Sequence, residues 1–149
     1  MNTVPLIYLD NCCFNRPFDD QSQLKIRLET EAKLAIQAKI VSHEYQLVWS
    51  FVLRYENQRN PHEDRRRKTA TWIAQASVIA TPDQAIFKKA DELNRLNLKP
   101  MDALHLACAL SAHADFFITT DQDILKKRQD VHETLWIGSP LAFLEEVPL

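Results

Sequence analysis

The sequence predicts an α/β domain in which a central, largely parallel sheet is flanked by helices. At 149 residues, the chain has the size of a single domain. Short apolar runs containing β-branched and aromatic residues alternate with longer segments of helical spacing. This alternation is typical of sheets whose parallel strands are joined by helical crossovers. No repeat or linker interrupts it, so we predict one domain spanning residues 1–149.

The predicted strands are short, and two of them end next to an acidic residue. The first run stops at Asp10, which is followed by Asn11, a pair that favours a turn. A later run of aromatic and β-branched residues leads through Thr119 to Asp121. In chain order, the predicted strands cover residues 4–9, 45–49, 77–80, 116–119 and 134–137.

The predicted helices carry recognisable start signals. Ser50 is a suitable N-cap for the helix that follows the second strand. Thr81 and Pro82 are predicted to be the N-cap and the first residue of a later helix. The first long helix has apolar residues at helical spacing, namely Leu24, Leu28, Ala32, Ala35 and Ile36. In chain order, the predicted helices cover residues 23–40, 50–59, 62–75, 81–96, 101–113, 121–127 and 140–146.

The amino-acid composition argues against several classes of function. The chain has one glycine, Gly138, whereas Walker A loops and dinucleotide-binding loops need several glycines where backbone amides approach phosphate. Three cysteines without a CxxC pair predict neither a disulfide framework nor a structural zinc site. The sequence has no signal peptide and no apolar run long enough to span a membrane, so we expect a soluble cytoplasmic protein. The net charge of -2 neither requires nor excludes a polyanionic partner.

Four acidic residues occupy positions that the predicted fold can bring together. Asp10 and Asp121 follow strands, at the sheet edge where parallel α/β proteins place their functional crevice. Glu56 shares a helical stripe with large side chains, and Asp102 lies in the first turn of an apolar helix. Each position alone is also explained by a turn, a cap, a solvated side chain or the helix dipole. Converging carboxylates repel one another and require a cation, and oxygen ligands favour Mg²⁺ or Mn²⁺ over zinc.

Four segments, in the correct order along the chain, resemble the motifs of PIN domains, and in particular of VapC-type toxin nucleases. The segment containing Asp102-Ala103 and the segment containing Thr120-Asp121 are the most specific. Ile124 departs from the resemblance, because the family more commonly has phenylalanine there. The resembling segments are Leu9–Phe14, Ser50–Glu56, Lys99–Ala107 and Ile118–Asp123.

The resemblance implies a metal-dependent ribonuclease that cuts single-stranded or looped RNA with water. It implies that the catalytic and metal-binding acids are Asp10, Glu56, Asp102 and Asp121. It adds Asp123 as a further metal ligand and Thr120 as a supporting hydroxyl. It also implies an Mg²⁺ or Mn²⁺ cofactor, a small antitoxin partner and a homodimer.

A run of basic residues is a candidate RNA-binding surface. Such runs are more often a solvated helix face, so backbone contacts with RNA are a hypothesis here. The run consists of Arg65, Arg66, Arg67 and Lys68. His105, one helical turn after Asp102, is expected to be a buried or supporting residue more often than a general acid.

Two other classes of function compete with the nuclease. A PIN-like module could bind RNA or protein without catalysis, which would be favoured if the four acids did not share one metal site. A phosphoryl-transfer domain ranks lower. Haloacid-dehalogenase-like phosphatases need D-x-D after the first strand, whereas Cys12 follows Asp10-Asn11. A response-regulator receiver needs an aspartate after a middle strand, whereas Ser50 follows Trp49.

Overall fold

In the computed structural model, which describes residues 4–131 and 133–147, the strands form a parallel sheet of five strands. The strand order is β3-β2-β1-β4-β5, so the first strand occupies the centre. Every neighbouring pair in this sheet is parallel, which confirms the predicted α/β class. The strands are β1 (Leu6–Leu9), β2 (Gln46–Ser50), β3 (Ala76–Ala80), β4 (Phe116–Ile118) and β5 (Trp136–Gly138).

Helices join and flank the strands in the described part of the chain. The α-helices are α1 (Asn11–Asn15), α2 (Leu24–Val41), α3 (Phe51–Gln58), α4 (Glu63–Ala70), α5 (Gln84–Asn94), α6 (Pro100–Ser111), α7 (Gln122–Lys127) and α8 (Pro140–Glu146). Short 3₁₀ helices cover Arg16–Phe18, Thr71–Gln75 and Arg128–Asp130. None of the helices described is both long and apolar enough to cross a membrane.

The register of the central strands aligns the carboxyl ends that carry the acidic residues. Leu9 on β1 is paired with Ile118 on β4. The backbone amide of Asp10 then donates to the carbonyl of Ile118 at 2.9 Å. Asp10 and Thr119, the residues that follow these two strands, therefore lie side by side at the edge of the sheet.

Several local features differ from the sequence expectation. The N-cap of α5 is Asp83 rather than Thr81, because the Asp83 carboxylate accepts from the Ala85 amide at 2.9 Å. Aspartate is at least as good an N-cap as threonine, and Pro82 consequently lies outside the helix. The basic helix predicted over residues 62–75 ends as an α-helix at Ala70 and continues as a 3₁₀ turn. Residues 11–15, for which no helix was predicted, form α1, and Asp10 is its N-cap.

Helix α2 does not simply place its apolar residues inside. Leu24 and Leu28, two of the regularly spaced apolar residues, are exposed. The charged residues Glu29 and Lys33 are buried on the same helix, at 2% and 4% exposure. Tertiary contacts of α2 with the segment after α1 therefore override its apolar periodicity.

The single glycine stands where a side chain would meet an aromatic ring. A Cβ on Gly138 would come within 3 Å of the Trp136 indole, which lies over the same face of β5. The indole also packs against Phe116 and Phe143, with centroid separations of 5.6 and 6.2 Å. This glycine thus serves close packing at the edge of the sheet rather than phosphate binding.

Candidate metal centre

Asp10 is fixed by two hydrogen bonds at the carboxyl end of β1. It is the N-cap of α1, and its Oδ1 accepts from the Asn11 amide at 2.8 Å. Its Oδ2 accepts from the Thr119 hydroxyl at 2.7 Å. The residue is almost fully buried, at 5% exposure. The carboxylate therefore has a defined orientation before any ligand binds.

Thr119 connects Asp10 to Asp121. The same Thr119 Oγ1 that donates to Asp10 accepts from the Asp121 amide at 3.0 Å. Asp121 is in turn the N-cap of α7, and its Oδ1 accepts from the amides of Asp123 and Ile124 at 2.8 and 3.3 Å. The hydroxyl that supports the acidic residues therefore belongs to Thr119. The hydroxyl of Thr120 had been predicted to support the acidic residues. The hydrogen bond that Thr120 forms is instead from its backbone amide to Cys12 Sγ, at 3.3 Å.

Glu56 and His105 complete one side of the site. His105 Nε2 contacts Glu56 Oε1 and lies 3.6 Å from Asp10 Oδ1. One potential ligand atom from each of Asp10, Glu56 and His105 lies within 4.8 Å of the others. Helices α3 and α6 thus deliver a carboxylate and an imidazole to the end of β1.

Two buried side-chain hydrogen bonds in series hold the other side of the His105 imidazole. His105 Nδ1 is 2.6 Å from the Tyr8 hydroxyl, which is 2.7 Å from Ser50 Oγ. Ser50 is also the predicted N-cap of α3, because its Oγ accepts from the Leu53 amide at 3.1 Å. Burial of His105 opposes its protonation, but the negative charges of Asp10 and Glu56 raise the pKa of the imidazole above its ordinary value.

Asp102 lies in the first turn of α6, one turn before His105. Burial, followed by the charges of Asp121 and Asp10, raises the pKa of its carboxyl to about 6. Its Oδ2 is buried and has no hydrogen-bond partner among the described residues. The structure therefore brings Asp102 into the electrostatic environment of Asp10 and Asp121, as the sequence analysis expected for the acids of one site.

The donor set fits a hard divalent cation. An unpartnered buried carboxylate oxygen is costly, and mutual repulsion among carboxylates adds to that cost. A cation that accepts oxygen ligands removes both penalties at once, and Mg²⁺ and Mn²⁺ prefer such ligands. The Cys12 thiol also lies close, 3.5 Å from Asp10 Oδ2, but it is one soft ligand among carboxylates.

Asp123 occupies a different position from the other acids. Its carboxylate forms an ion pair with Lys99 at 3.1 Å, and its side chain is 47% exposed. The side-chain hydrogen bond and the charge of Lys99 lower the pKa of this carboxyl. Asp123 thus lies at the rim, neutralised by a lysine.

The basic run of α4 divides into structural and exposed members. Arg65 donates to the Phe18 carbonyl and Arg66 donates to the Asn60 carbonyl, both at 2.9 Å. Arg67 is exposed and pairs with Glu63 at 3.1 Å. Lys68 is exposed, and its ammonium lies 5.6 Å from the centroid of the Phe18 ring.

Sequence reasoning missed two contributors to the site, Tyr8 and Thr119. Both belong to apolar strand segments, where side chains are expected to be core. A signal was nevertheless present, since a fully buried tyrosine hydroxyl or threonine hydroxyl must find a hydrogen-bond partner. Their partners come from segments about one hundred residues away, at sequence separations of 97 and 109.

The fold is a five-stranded parallel sheet flanked by helices, with carboxylates at the carboxyl end of its central strand. This places the chain in the α/β class. The PIN domain family model matches residues 7–130. The chain therefore belongs to the PIN domain family. None of the curated proteins matches its sequence.

Solved structures with the same fold include FitAcB from Neisseria gonorrhoeae and VapBC-1 from nontypeable Haemophilus influenzae. The first is 12% identical, with a TM-score of 0.57, and the match covers 91% of this chain and 98% of that chain. The second is 17% identical, with a TM-score of 0.52 and the same coverage of 91% and 98%. The similarity thus extends over almost the whole fold, at low sequence identity.

Proposed function

We propose that this protein is an Mg²⁺- or Mn²⁺-dependent endoribonuclease that hydrolyses RNA phosphodiester bonds. PIN domains are generally nucleases, and Asp10 and Glu56 lie close together with His105 in this chain. The observation that carries the proposal is the Asp102 carboxylate, whose buried, unpartnered oxygen lies in the negative field of Asp121 and Asp10. Such an arrangement is unfavourable unless a cation binds there.

The acidic residues divide into metal ligands and supporting groups. Asp10, Asp102 and Asp121 would hold the ion, and Glu56 would bind it directly or through water. A bound divalent ion lowers the pKa of water and neutralises charge on a scissile phosphate. Thr119 keeps Asp10 oriented, through its 2.7 Å hydrogen bond. Asp123 would have to break its ion pair with Lys99 to become a ligand, so we place it at the periphery of the site.

His105 acts on Glu56 as a hydrogen-bond donor. If Tyr8 donates to Nδ1, the neutral ring carries its proton on Nε2. If Tyr8 accepts from Nδ1 instead, an ionised Glu56 still requires a proton on Nε2, and the ring is then an imidazolium. In both arrangements Nε2 donates to Glu56, and the imidazole positions this carboxylate rather than binding the ion itself.

The exposed cations of the basic run are proposed to contact RNA. Arg67 and Lys68 are available, whereas Arg65 and Arg66 donate to backbone carbonyls of the protein. The expected contribution of Arg65 is therefore to hold the segment around Phe18 in place, and that of Arg66 to hold the segment around Asn60, while both add positive charge.

We further propose that the nuclease is the toxin of a type II toxin–antitoxin pair. The VapC-like motifs and the fold shared with VapBC-1 support this role. An antitoxin would cover the acidic site, and the toxin would form a homodimer. Co-expression with the product of a neighbouring small reading frame, followed by isolation of the complex and an RNA cleavage assay, tests this part.

The nuclease proposal is tested by cleavage of a mixed RNA pool with Mg²⁺, with Mn²⁺ and with EDTA. Wild-type protein should cleave only with metal, and the folded variant Asp102→Asn should not cleave. Equal cleavage by both proteins would contradict the proposal. If neither cleaves, titration with Mn²⁺ decides: binding lost in Asp102→Asn supports the site, and unchanged binding in the variant overturns it in favour of a non-catalytic module.

A further inference from the structure

Lys33 is a buried cation without the partner that its helix offers. Glu29 precedes Lys33 by four residues on α2, the spacing and order that favour an ion pair. Arg16 instead binds Glu29, with 3.2 Å between Nε and Oε1. None of the ion pairs formed by residues 4–131 and 133–147 includes Lys33, although its side chain is only 4% exposed.

The Lys33 side chain lines a cleft between α2, the segment after α1, and α4. The cleft has a volume of about 260 Å³. A second lysine, Lys68, also lines this cleft, and none of the described carboxylates contributes to the lining. The remaining lining residues are Phe14, Pro17, Phe18, Leu34, Thr69 and Trp72.

The aromatic walls partly stabilise the cations but do not neutralise them. The Lys33 ammonium lies 5.9 Å from the centroid of Phe14, and Lys68 lies 5.6 Å from the centroid of Phe18. A cation–π contact contributes about 0.5–2 kcal/mol, less than the cost of burying an unpaired charge. Desolvation accordingly lowers the pKa of Lys33 to about 8. An anion placed between the two lysines would offset this cost, and the apolar walls would strengthen its attraction.

We propose that this cleft, which we call the Lys33 cleft, binds a phosphate group of the RNA substrate through Lys33 and Lys68. The proposal rests on the nuclease function proposed above. The cleft is lined by Phe14 of α1, the helix that begins directly after Asp10. Helix α1 is five residues long, so its two ends are separated by only about 6 Å. A strand bound at the acidic centre therefore needs little length to reach the cleft.

This assignment gives a role to two parts of the chain that the acidic site leaves unused. The segment of residues 15–20 supplies Pro17 and Phe18 to one wall. The basic run supplies Lys68, and Arg65 anchors the wall by donating to the Phe18 carbonyl at 2.9 Å. Both parts thus contribute to one cleft that two lysines line.

The test is the salt dependence of RNA binding in EDTA, where cleavage does not interfere. Affinity for a fluorescent single-stranded RNA is measured by anisotropy for wild type, Lys33→Met and Lys68→Met. Methionine keeps most of the apolar length of lysine and removes the charge. Lys88→Met, which changes an exposed lysine of α5 outside the cleft, is the matched control.

Each cleft variant should bind RNA about tenfold more weakly at moderate salt. The slope of log K against log salt should fall by about 0.7 for each lysine that loses a phosphate contact. Lys88→Met should leave that slope unchanged. A structural defect would weaken binding without removing a counterion, so the slope separates the two causes. Lys68→Met affects an exposed side chain and remains informative if Lys33→Met fails to fold.

If both cleft variants bound RNA with the wild-type affinity and the wild-type salt slope, the proposal would be overturned. An acidic protein segment would then be the occupant to test next. Failure of the nuclease proposal is seen separately, as metal-independent cleavage or cleavage retained by Asp102→Asn. If the cleft binds substrate phosphate, Lys33→Met should raise KM for RNA with little change in kcat. A fall in kcat at unchanged KM would also contradict the assignment.

Discussion

The Thr119 hydroxyl donates a hydrogen bond to Asp10 Oδ2 at 2.7 Å, joining the ends of two neighbouring parallel strands. The same oxygen accepts from the Asp121 amide at 3.0 Å. One side chain therefore orients one carboxylate and fixes the backbone that carries another. Because its donor and one of its two acceptor positions are used inside the protein, we propose that Thr119 is a supporting residue.

Thr119→Val should weaken metal binding about tenfold, since groups that orient a ligand typically contribute this much. The substitution keeps the shape of the side chain but leaves the Asp121 amide without its acceptor, which should also lower the free energy of unfolding by about 1–3 kcal/mol. Mn²⁺ titration and urea unfolding measure the two effects. Thr120→Val is the matched control, at a neighbouring buried position. Equal loss of metal affinity in both variants would contradict the role assigned to Thr119.

His105→Leu should lower kcat for RNA cleavage by about 10–100-fold, because Glu56 loses the donor that positions it. His105→Gln retains an N–H donor near the position of Nε2 and should recover much of the activity. KM should change little in either variant, since His105 is 1% exposed and does not reach the substrate. Steady-state kinetics with matched circular-dichroism spectra makes the comparison. Equal losses in the leucine and glutamine variants would show that the hydrogen bond to Glu56 is not what matters.

Asp102→Asn should stabilise the metal-free protein at neutral pH. The folded-state pKa of Asp102, about 6, lies above its ordinary value of 3.8, so folding favours the protonated form. Stability from this group is present below about pH 4 and is lost as pH rises towards about 6. The variant should therefore be more stable than wild type by about 1 kcal/mol at pH 7, solvent screening reducing the full effect, and similar at pH 4.

Urea unfolding in EDTA at both pH values measures this difference. Addition of Mg²⁺ at pH 7 should then stabilise wild type more than Asp102→Asn, because the ion binds the folded state. A wild-type protein that is more stable than the variant at pH 7 in EDTA would mean that repulsion at this carboxylate is already compensated.

Lys33→Met should stabilise the protein at pH 7 and have less effect at pH 10. Burial lowers the pKa of Lys33 from 10.5 to about 8, with the Cys13 thiol acting in the opposite direction. Since folding favours the neutral amine, wild-type stability should rise as pH increases from about 8 to 10.5. The difference between the variant and wild type should shrink over that range by up to about 3 kcal/mol.

Chemical unfolding of both proteins without RNA, at pH 7 and pH 10, is the measurement. Lys88→Met, at an exposed position, should show no such pH dependence. If the difference in unfolding free energy between Lys33→Met and wild type were the same at both pH values, burial would not destabilise the charged form of Lys33 in the folded protein.

The alternation of strands and helices and the positions of the acidic residues could be read from the sequence. Both depend on local patterns: apolar runs, caps such as Ser50, and motifs around Asp102 and Asp121. The cap of α5 was misassigned to Thr81 because two acceptable N-cap residues lie two positions apart. The choice of Asp83 depends on which backbone amides point at which side chain.

The sequence by itself determined that this is a parallel α/β domain of the PIN type, with Asp10, Glu56, Asp102 and Asp121 as its candidate acids. Strand pairing and helix packing decided what surrounds them, because those contacts join segments far apart along the chain. Register placed Thr119 rather than Thr120 against Asp10, and the packing of α6 on the sheet placed His105 between Tyr8 and Glu56. Competition for Glu29, which Arg16 binds, left Lys33 unpaired in its cleft, an outcome that the favourable i,i+4 spacing on α2 could not reveal.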